Sequence, residues 1–248
     1  IMQVEPALSI FYLGFQHRLE PFNKVDGRKA FNYASDKEAI VTYTLQGEGR
    51  PATHGIIPPF KGYNYEDVTG YEFDTKKAKE HMAKAGFPSG KGFPEISLQY
   101  NSDGGDRNGQ VAEVIQKMLN ENLGINIKLE QLQFAQQTEN KETGKSIFWR
   151  AGWIADYPDP ENCLNLLYGA HVPEKLTDKA YINSIRYQSP KFDSLFDIAL
   201  REVNKEKRFE LFRQVDQIAV DDAAILPIFY DENTRLIQVY VKNFPSNS

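Results

Sequence analysis

The stretch from Arg150 to Glu161 concentrates the residues that could do chemistry. Arg150, Trp153, Asp156, Asp159 and Glu161 fall within twelve residues that also hold Pro158 and Pro160. Three kinds of chemistry use carboxylates so placed. A glycosidase sets two of them across a cleft at about 5–9.5 Å. A calcium loop alternates oxygen ligands and usually turns on a glycine. A binding site presents one carboxylate to a cation. Asp159 precedes Pro160, so it reads as a helix N-cap, with Pro at the first helical position and Glu161 in a first turn that favours acids. Asp156 has no cap position and directly follows an apolar strand. It reads either as a turn residue closing an Asx bond or as the carboxylate that a ligand meets.

Other candidates carry less. Asp103 and Asp106 lie in the Gly-rich run Asn101–Asn108, which lacks the twelve-residue ligand register and terminal glutamate of a calcium loop. No Gly-Lys-Ser/Thr follows it, so it is not a phosphate loop. His17, His54, His81 and His171 are scattered without i, i+4 pairing. Cys163 reads as a small core residue, and a single cysteine excludes an intramolecular disulfide and a multi-cysteine zinc site. There is no Gly-x-Ser-x-Gly elbow.

These residues need a scaffold, and the periodicity supplies one. Residues 10–15 read as a buried strand. Arg28 to Gln46 reads as two short helices with a capping box at Ser35–Glu38. Residues 47–73 are rich in Gly, Pro and Tyr and read as an irregular segment. Asp74 caps a helix through Ala85, with Gly86 as its stop. Ile96, Leu98 and Tyr100 alternate as a strand, and Gly109 to Asn122 carries apolar residues at helical spacing. Ile125, Ile127 and Leu129 alternate again, Phe134 to Thr143 reads as a helix, and Ser146 to Trp153 is a third strand. Strand–helix–strand–helix–strand implies βαβ units and a mostly parallel sheet. Helices follow from Pro160, from Ser189-Pro190 and around Phe209–Ile218. Ala224–Tyr230 and Leu236–Val241 read as closing strands. In such sheets ligands sit beyond the carboxyl ends of the strands, which selects the segments after residues 100, 131 and 153.

Composition narrows the classes. The 248 residues carry Lys+Arg 29 against Asp+Glu 34, a net charge of −5, so no basic footprint marks a nucleic-acid binder. The 41% hydrophobic content excludes a disordered chain, and no apolar run approaches the ~18 residues of a membrane span. The start, Ile1–Pro6, has neither a basic n-region nor an apolar h-region, so the chain reads as one domain trimmed or cut from something longer.

The chain resembles the peptide-binding solute receptors of bacterial ABC importers, extracellular solute-binding family 5. The resemblance rests on Tyr12–Phe15, Pro21–Val25, Arg28–Ile40, Gly49–Ala52, Ile57–Pro59, the Asp74–Pro88 helix, Gly152–Asn162, Ser189–Asp193 and Ile225–Tyr230, in the family's order. It implies a periplasmic-binding-protein type II lobe, a three-layer α/β/α arrangement on a mixed sheet of about five strands. Residues 1–248 then form the C-terminal lobe of a two-lobed receptor, with the leader, first lobe and final return strands outside. The resemblance assigns Asp156 to the α-ammonium of a peptide. It sets peptide backbone against the strand edge at Gly152 and Ile154, and Arg150 and Lys141 near a peptide carboxylate. Phe134 and Trp153 match aromatic pocket positions, and Asn108 stands where a related receptor has histidine. The implied partners are a peptide, the N-terminal lobe and the ABC permease, with no cofactor, in an extracytoplasmic parent that is exported or lipid-anchored. A non-peptide solute (nickel, haem or oligosaccharide) and a carboxylate-pair hydrolase are the alternatives to this non-enzymatic reading.

Overall fold

The computed structural model describes residues 2–241. In chain order its elements are β1 (Met2–Phe15), α1 (Val25–Ala34), α2 (Lys37–Ala39), β2 (Arg50–Pro51), α3 (Thr75–Lys84), β3 (Ser97–Asn101), α4 (Asp106–Leu123), β4 (Lys128–Leu132), α5 (Phe134–Glu142), β5 (Phe148–Ile154), α6 (Pro160–Leu164), α7 (Pro190–Arg201), α8 (Lys205–Asp221) and β6 (Ile225–Leu236). Most expected elements lie where periodicity set them. The expected helix starts at Asp74, Asp159 and Pro190 are also found. Asp74 accepts from the Lys77 N–H at 2.9 Å, and Asp159 from the Glu161 N–H at 3.0 Å. At the second helix the cap is Asp36, which accepts from the Ala39 N–H, while Ser35 donates back to the Phe31 carbonyl.

The strands form one sheet in the order β2-β6-β1-β5-β3-β4. It has six strands rather than about five. β4 and β5 run parallel to β3, whereas β1–β5, β1–β6 and β2–β6 are antiparallel, so the sheet is mixed and not mostly parallel. The expected closing pair is also corrected. One continuous strand covers Ile225–Leu236, and residues 237–241 are coil and turn. Period-2 alternation marks a strand but says nothing about the direction of its neighbours.

Alternation along β1 and β5 builds two cores. Phe11, Leu13, Phe15 and Phe148 face α1, α3 and α4, with Phe22 and Phe31 packed among them, the two rings edge to face. Ile10, Trp149 and Ala151 face α6, α7 and α8, against Phe192, Phe196 and Phe212. Gly14 lies opposite Trp149 in the β1–β5 register. A Cβ at Gly14 would lie 2.7 Å from the indole, so the fully buried Trp149 ring occupies the space a side chain would need.

Buried polar groups pin the irregular segments to these layers. Asp216 of α8 is fully buried and accepts the N–H groups of Ile56 and Ile57 at 2.8 and 3.4 Å. Burial pushes its carboxyl up to about 7. Lys37 is buried and donates to the Ala52 carbonyl at 2.9 Å, and burial lowers its amine to about 7. Arg186, also buried, donates to the carbonyls of Lys141, Glu142, Leu176, Asp178 and Ser184.

Two predictions follow from this packing. Gly14→Ala should lower unfolding free energy by about 1–3 kcal/mol, read as a reduced denaturant midpoint, because the ring has nowhere to move. Between about pH 4 and 7 the folded chain keeps the Asp216 proton that an unfolded aspartate releases, so this group makes stability fall as pH rises through that window. Between about 7 and 10 the unfolded chain keeps a Lys37 proton that the folded chain has lost, so stability rises again. Asp216→Asn should flatten the lower limb and Lys37→Met the upper one, in denaturant titrations at each pH.

Candidate functional site

The C-terminal ends of β3, β4 and β5 meet at one edge of the sheet. The Phe134 N–H, at the start of α5, donates to Asp103 Oδ2 at 3.2 Å, which joins the segments after β3 and β4. Asn101, the last residue of β3, accepts on Oδ1 from Arg150 Nη1 at 3.2 Å and from Asn108 Nδ2 at 3.3 Å. That one amide oxygen connects β3, β5 and the first turns of α4.

β5 is paired with β3 only at Phe148 and Trp149. Gln137 of α5 closes this ladder, donating to the Gln99 and Arg150 carbonyls at 2.9 Å each. Beyond it β5 continues beside β1 alone, through Ile154 opposite Ser9. The Ala155 N–H donates to the Leu8 carbonyl at 2.7 Å. By antiparallel alternation, the N–H and C=O groups of Gly152 and Ile154 then point away from β1. No described residue pairs with them on that side. The result is a short open strand edge inside the sheet, besides the outer edges at β2 and β4. Ile154 is 77% exposed, and Gly152 adds no side chain to cover the edge.

Asp156 stands two residues past that edge. The segment holding it is tied down on both sides. Ala155 is bonded to Leu8, Trp153 Nε1 donates to Asn162 Oδ1 at 2.8 Å, and Asp159 caps α6 while pairing with Arg208. Asp156 itself is exposed and has no hydrogen bond or ion pair with any described residue. The Asx-turn reading therefore finds no bond here. Asp159 and Glu161 are spent locally, Asp159 on the cap and Arg208, Glu161 on the Tyr157 hydroxyl.

The cationic candidates divide. Arg150 lies on the face of Phe11, 4.7 Å from the ring centroid, and burial lowers its pKa, with the Asp231 carboxylate opposing. Phe134 is exposed at the N-terminus of α5. Lys141 lies about two turns further along α5, away from Asp156; burial lowers its amine, Glu142 opposing and Arg150 adding. Asn108 is 3% exposed, and its amide is used on the Asn101 carbonyl and side chain, so it holds the junction from below.

Sequence reasoning missed Asp231 and Arg107. Arg107 sits 4.4 Å over Phe229 and donates to Asp231 Oδ1 at 3.1 Å, while Ser9 donates to Asp231 Oδ2 at 2.8 Å. Phe11 and Phe229 stack at 4.7 Å, so the two guanidinium groups flank one aromatic pair. The signal that selected Asp156, an acid directly after an apolar strand, also describes Asp231 after residues 225–230. Also missed was an apolar groove of about 930 Å³ whose lining includes Leu8, Phe60, Tyr63, Pro158 and Phe209.

The description of bacterial extracellular solute-binding proteins, family 5 Middle, matches residues 2–172. The chain belongs to this family. Among family 5 relatives it is 28% identical to the oligopeptide-binding protein OppA of Bacillus subtilis, over 98% of this chain and 46% of that one. It is 27% identical to the haem-binding protein A of Haemophilus influenzae, over 97% and 42%. Among solved structures it superposes on the ABC transporter-associated periplasmic binding protein DppA of Helicobacter pylori, in complex with the peptide STSA. The TM-score is 0.81 at 27% identity, over 94% of this chain and 44% of that one. The chain thus spans less than half the length of the curated relatives it matches.

The geometry separates scaffold from free groups. Asp156→Asn should leave stability within about 0.5 kcal/mol, since no described contact is lost. Asn101→Ala should cost about 1–3 kcal/mol by leaving the buried Asn108 amide short of an acceptor. Urea titration of both variants tests the contrast.

Proposed function

We propose that this chain is the C-terminal lobe of a two-lobed, extracytoplasmic receptor that captures peptides for an ABC permease. The observation that carries the reading is the open edge of β5 at Gly152 and Ile154 next to the unpartnered Asp156 carboxylate. An extended peptide that adds to this edge satisfies its backbone N–H and C=O groups without any demand on its side chains. Its α-ammonium then meets Asp156, and a charge-assisted bond of that kind is strong once the second lobe excludes water. Trp153 and Phe134 flank the edge with aromatic surface, and Arg150 and Lys141 bring positive charge toward the peptide's carboxylate end. Asn108 acts through Asn101, holding Arg150 in place.

The family assignment, the oligopeptide-binding relative and the peptide complex of the structural neighbour support this reading. The haem-binding relative supports a second one, a non-peptide solute in the same cleft. Lobe closure supplies the mechanism. A ligand favours the closed state only through its differential affinity for it, and one lobe offers only part of the contacts. The isolated chain therefore binds peptides weakly.

The experiment uses the two-lobed parent protein. A pool of free tri- to pentapeptides at about 100 times its dissociation constant should stabilise it by roughly 2.7 kcal/mol in thermal unfolding. The same pool N-acetylated should not. Asp156→Asn should weaken free-peptide binding by about 1.5–3 kcal/mol, measured by calorimetry. No response to either pool would sink the peptide reading and favour the non-peptide solute.

A further inference from the structure

The end of the sheet opposite Asp156 holds a polar cavity of about 440 Å³. Its walls include His17 and Arg18 after β1, Arg28 of α1, Arg186, Ser189 at the start of α7 and Asp222 at the end of α8. Three guanidinium groups and one carboxylate line it. That carboxylate accepts from the Tyr187 hydroxyl at 2.6 Å and offsets part of the positive charge, at Arg28.

The arginines bond to neutral acceptors instead. Arg18 donates to the carbonyls of Pro173 and Glu174 at 2.8 Å each. Arg28 donates to those of Phe22, Asp222 and Ala223, and Arg186 to its five carbonyls. Carbonyls occupy N–H groups but leave the formal charge in place. Arg28 and Arg186 are 6% and 1% exposed, where charge is costly; the Asp222 carboxylate opposes that cost at Arg28, whereas at Arg186 burial is reinforced by Arg18. Arg186 Nε is also buried without an acceptor. The cations disfavour one another's charged forms. After burial, Arg18 lowers Arg186, and Arg28 lowers His17. Ser189 and Pro190 bring the positive end of the twelve-residue α7 to the same wall, and the Ser189 side chain makes no cap bond.

We propose that this cavity binds a phosphate group, either free inorganic phosphate or the headgroup of an anionic phospholipid. Guanidinium groups match phosphate oxygens, and with three of them against one carboxylate a dianion supplies the counter-charge this wall lacks. The cavity shares no lining residue with the β5 edge, so it works independently of peptide capture.

The test uses the 248-residue chain. One arm follows melting temperature against inorganic phosphate, with chloride holding ionic strength constant. The other measures flotation with phosphatidylglycerol vesicles against phosphatidylcholine vesicles. Arg18→Gln is the main variant because Arg18 is half-buried at the rim, and Ser189→Ala serves in its place if that protein does not fold. A saturating rise in melting temperature, with apparent affinity about tenfold weaker in Arg18→Gln, assigns free phosphate. Flotation with phosphatidylglycerol that Arg18→Gln removes, without a response to free phosphate, assigns the headgroup. A rise that never saturates, a response the variant leaves unchanged, or none in either arm overturns the site.

Discussion

β5 is bonded to a parallel neighbour on one side and an antiparallel neighbour on the other, and its ladder with β3 stops after Trp149. The candidate site depends on that arrangement. Had β3 run on beside β5, the backbone groups of Gly152 and Ile154 would be spent on the sheet. Had β1 stopped earlier, the strand beyond Trp149 would lack a neighbour to hold it extended. Gln137 marks the limit by bridging Gln99 and Arg150, which ends the ladder without leaving the Arg150 carbonyl orphaned. A sheet edge is normally a hazard for unintended pairing. Here it is brief and buttressed on one side by β1.

The rest of the architecture keeps this edge in place. The same alternation that points Phe148 into one core points Trp149 into the other, so a shift of one residue in β5 would expose both aromatic clusters. Gly14 reinforces the register, because only a residue without a side chain fits against the Trp149 ring. The long irregular stretches are held by buried polar groups instead of apolar packing alone. Asp216 secures residues 56 and 57, and Arg186 gathers the end of α5 with residues 176–184. Each places an ionisable group in the interior, and such a group is tolerated there only with hydrogen-bond partners.

Charge is distributed differently at the two ends of the sheet. Beyond β5 a free carboxylate, Asp156, stands in solvent, and on the same half of the sheet the Arg150–Phe11–Phe229–Arg107 stack carries positive charge that Asp231 partly neutralises. At the other end the guanidinium groups outnumber the carboxylate and bond to carbonyls. One end is proposed to take a ligand with an ammonium group, the other a ligand with negative charge.

The sequence by itself determined most of the elements and many helix ends. Period-2 and period-3.6 patterns, Asp74, Asp159 and Pro190 at helix starts, and Gly86, Gly124 and Gly144 at helix stops act within a few residues, so local physics is enough to read them. It also singled out Asp156, and it carried the family resemblance. Only the tertiary structure decided the strand order, the antiparallel half of the sheet and the continuity of β6. It likewise decided that Asn108 works on Asn101, and that Arg107 meets Asp231 across 124 positions. The physical reason is that a hydrogen-bonding edge is a property of two strands. Whether Gly152 and Ile154 are free depends on where β3 ends, and no periodicity within β5 contains that information.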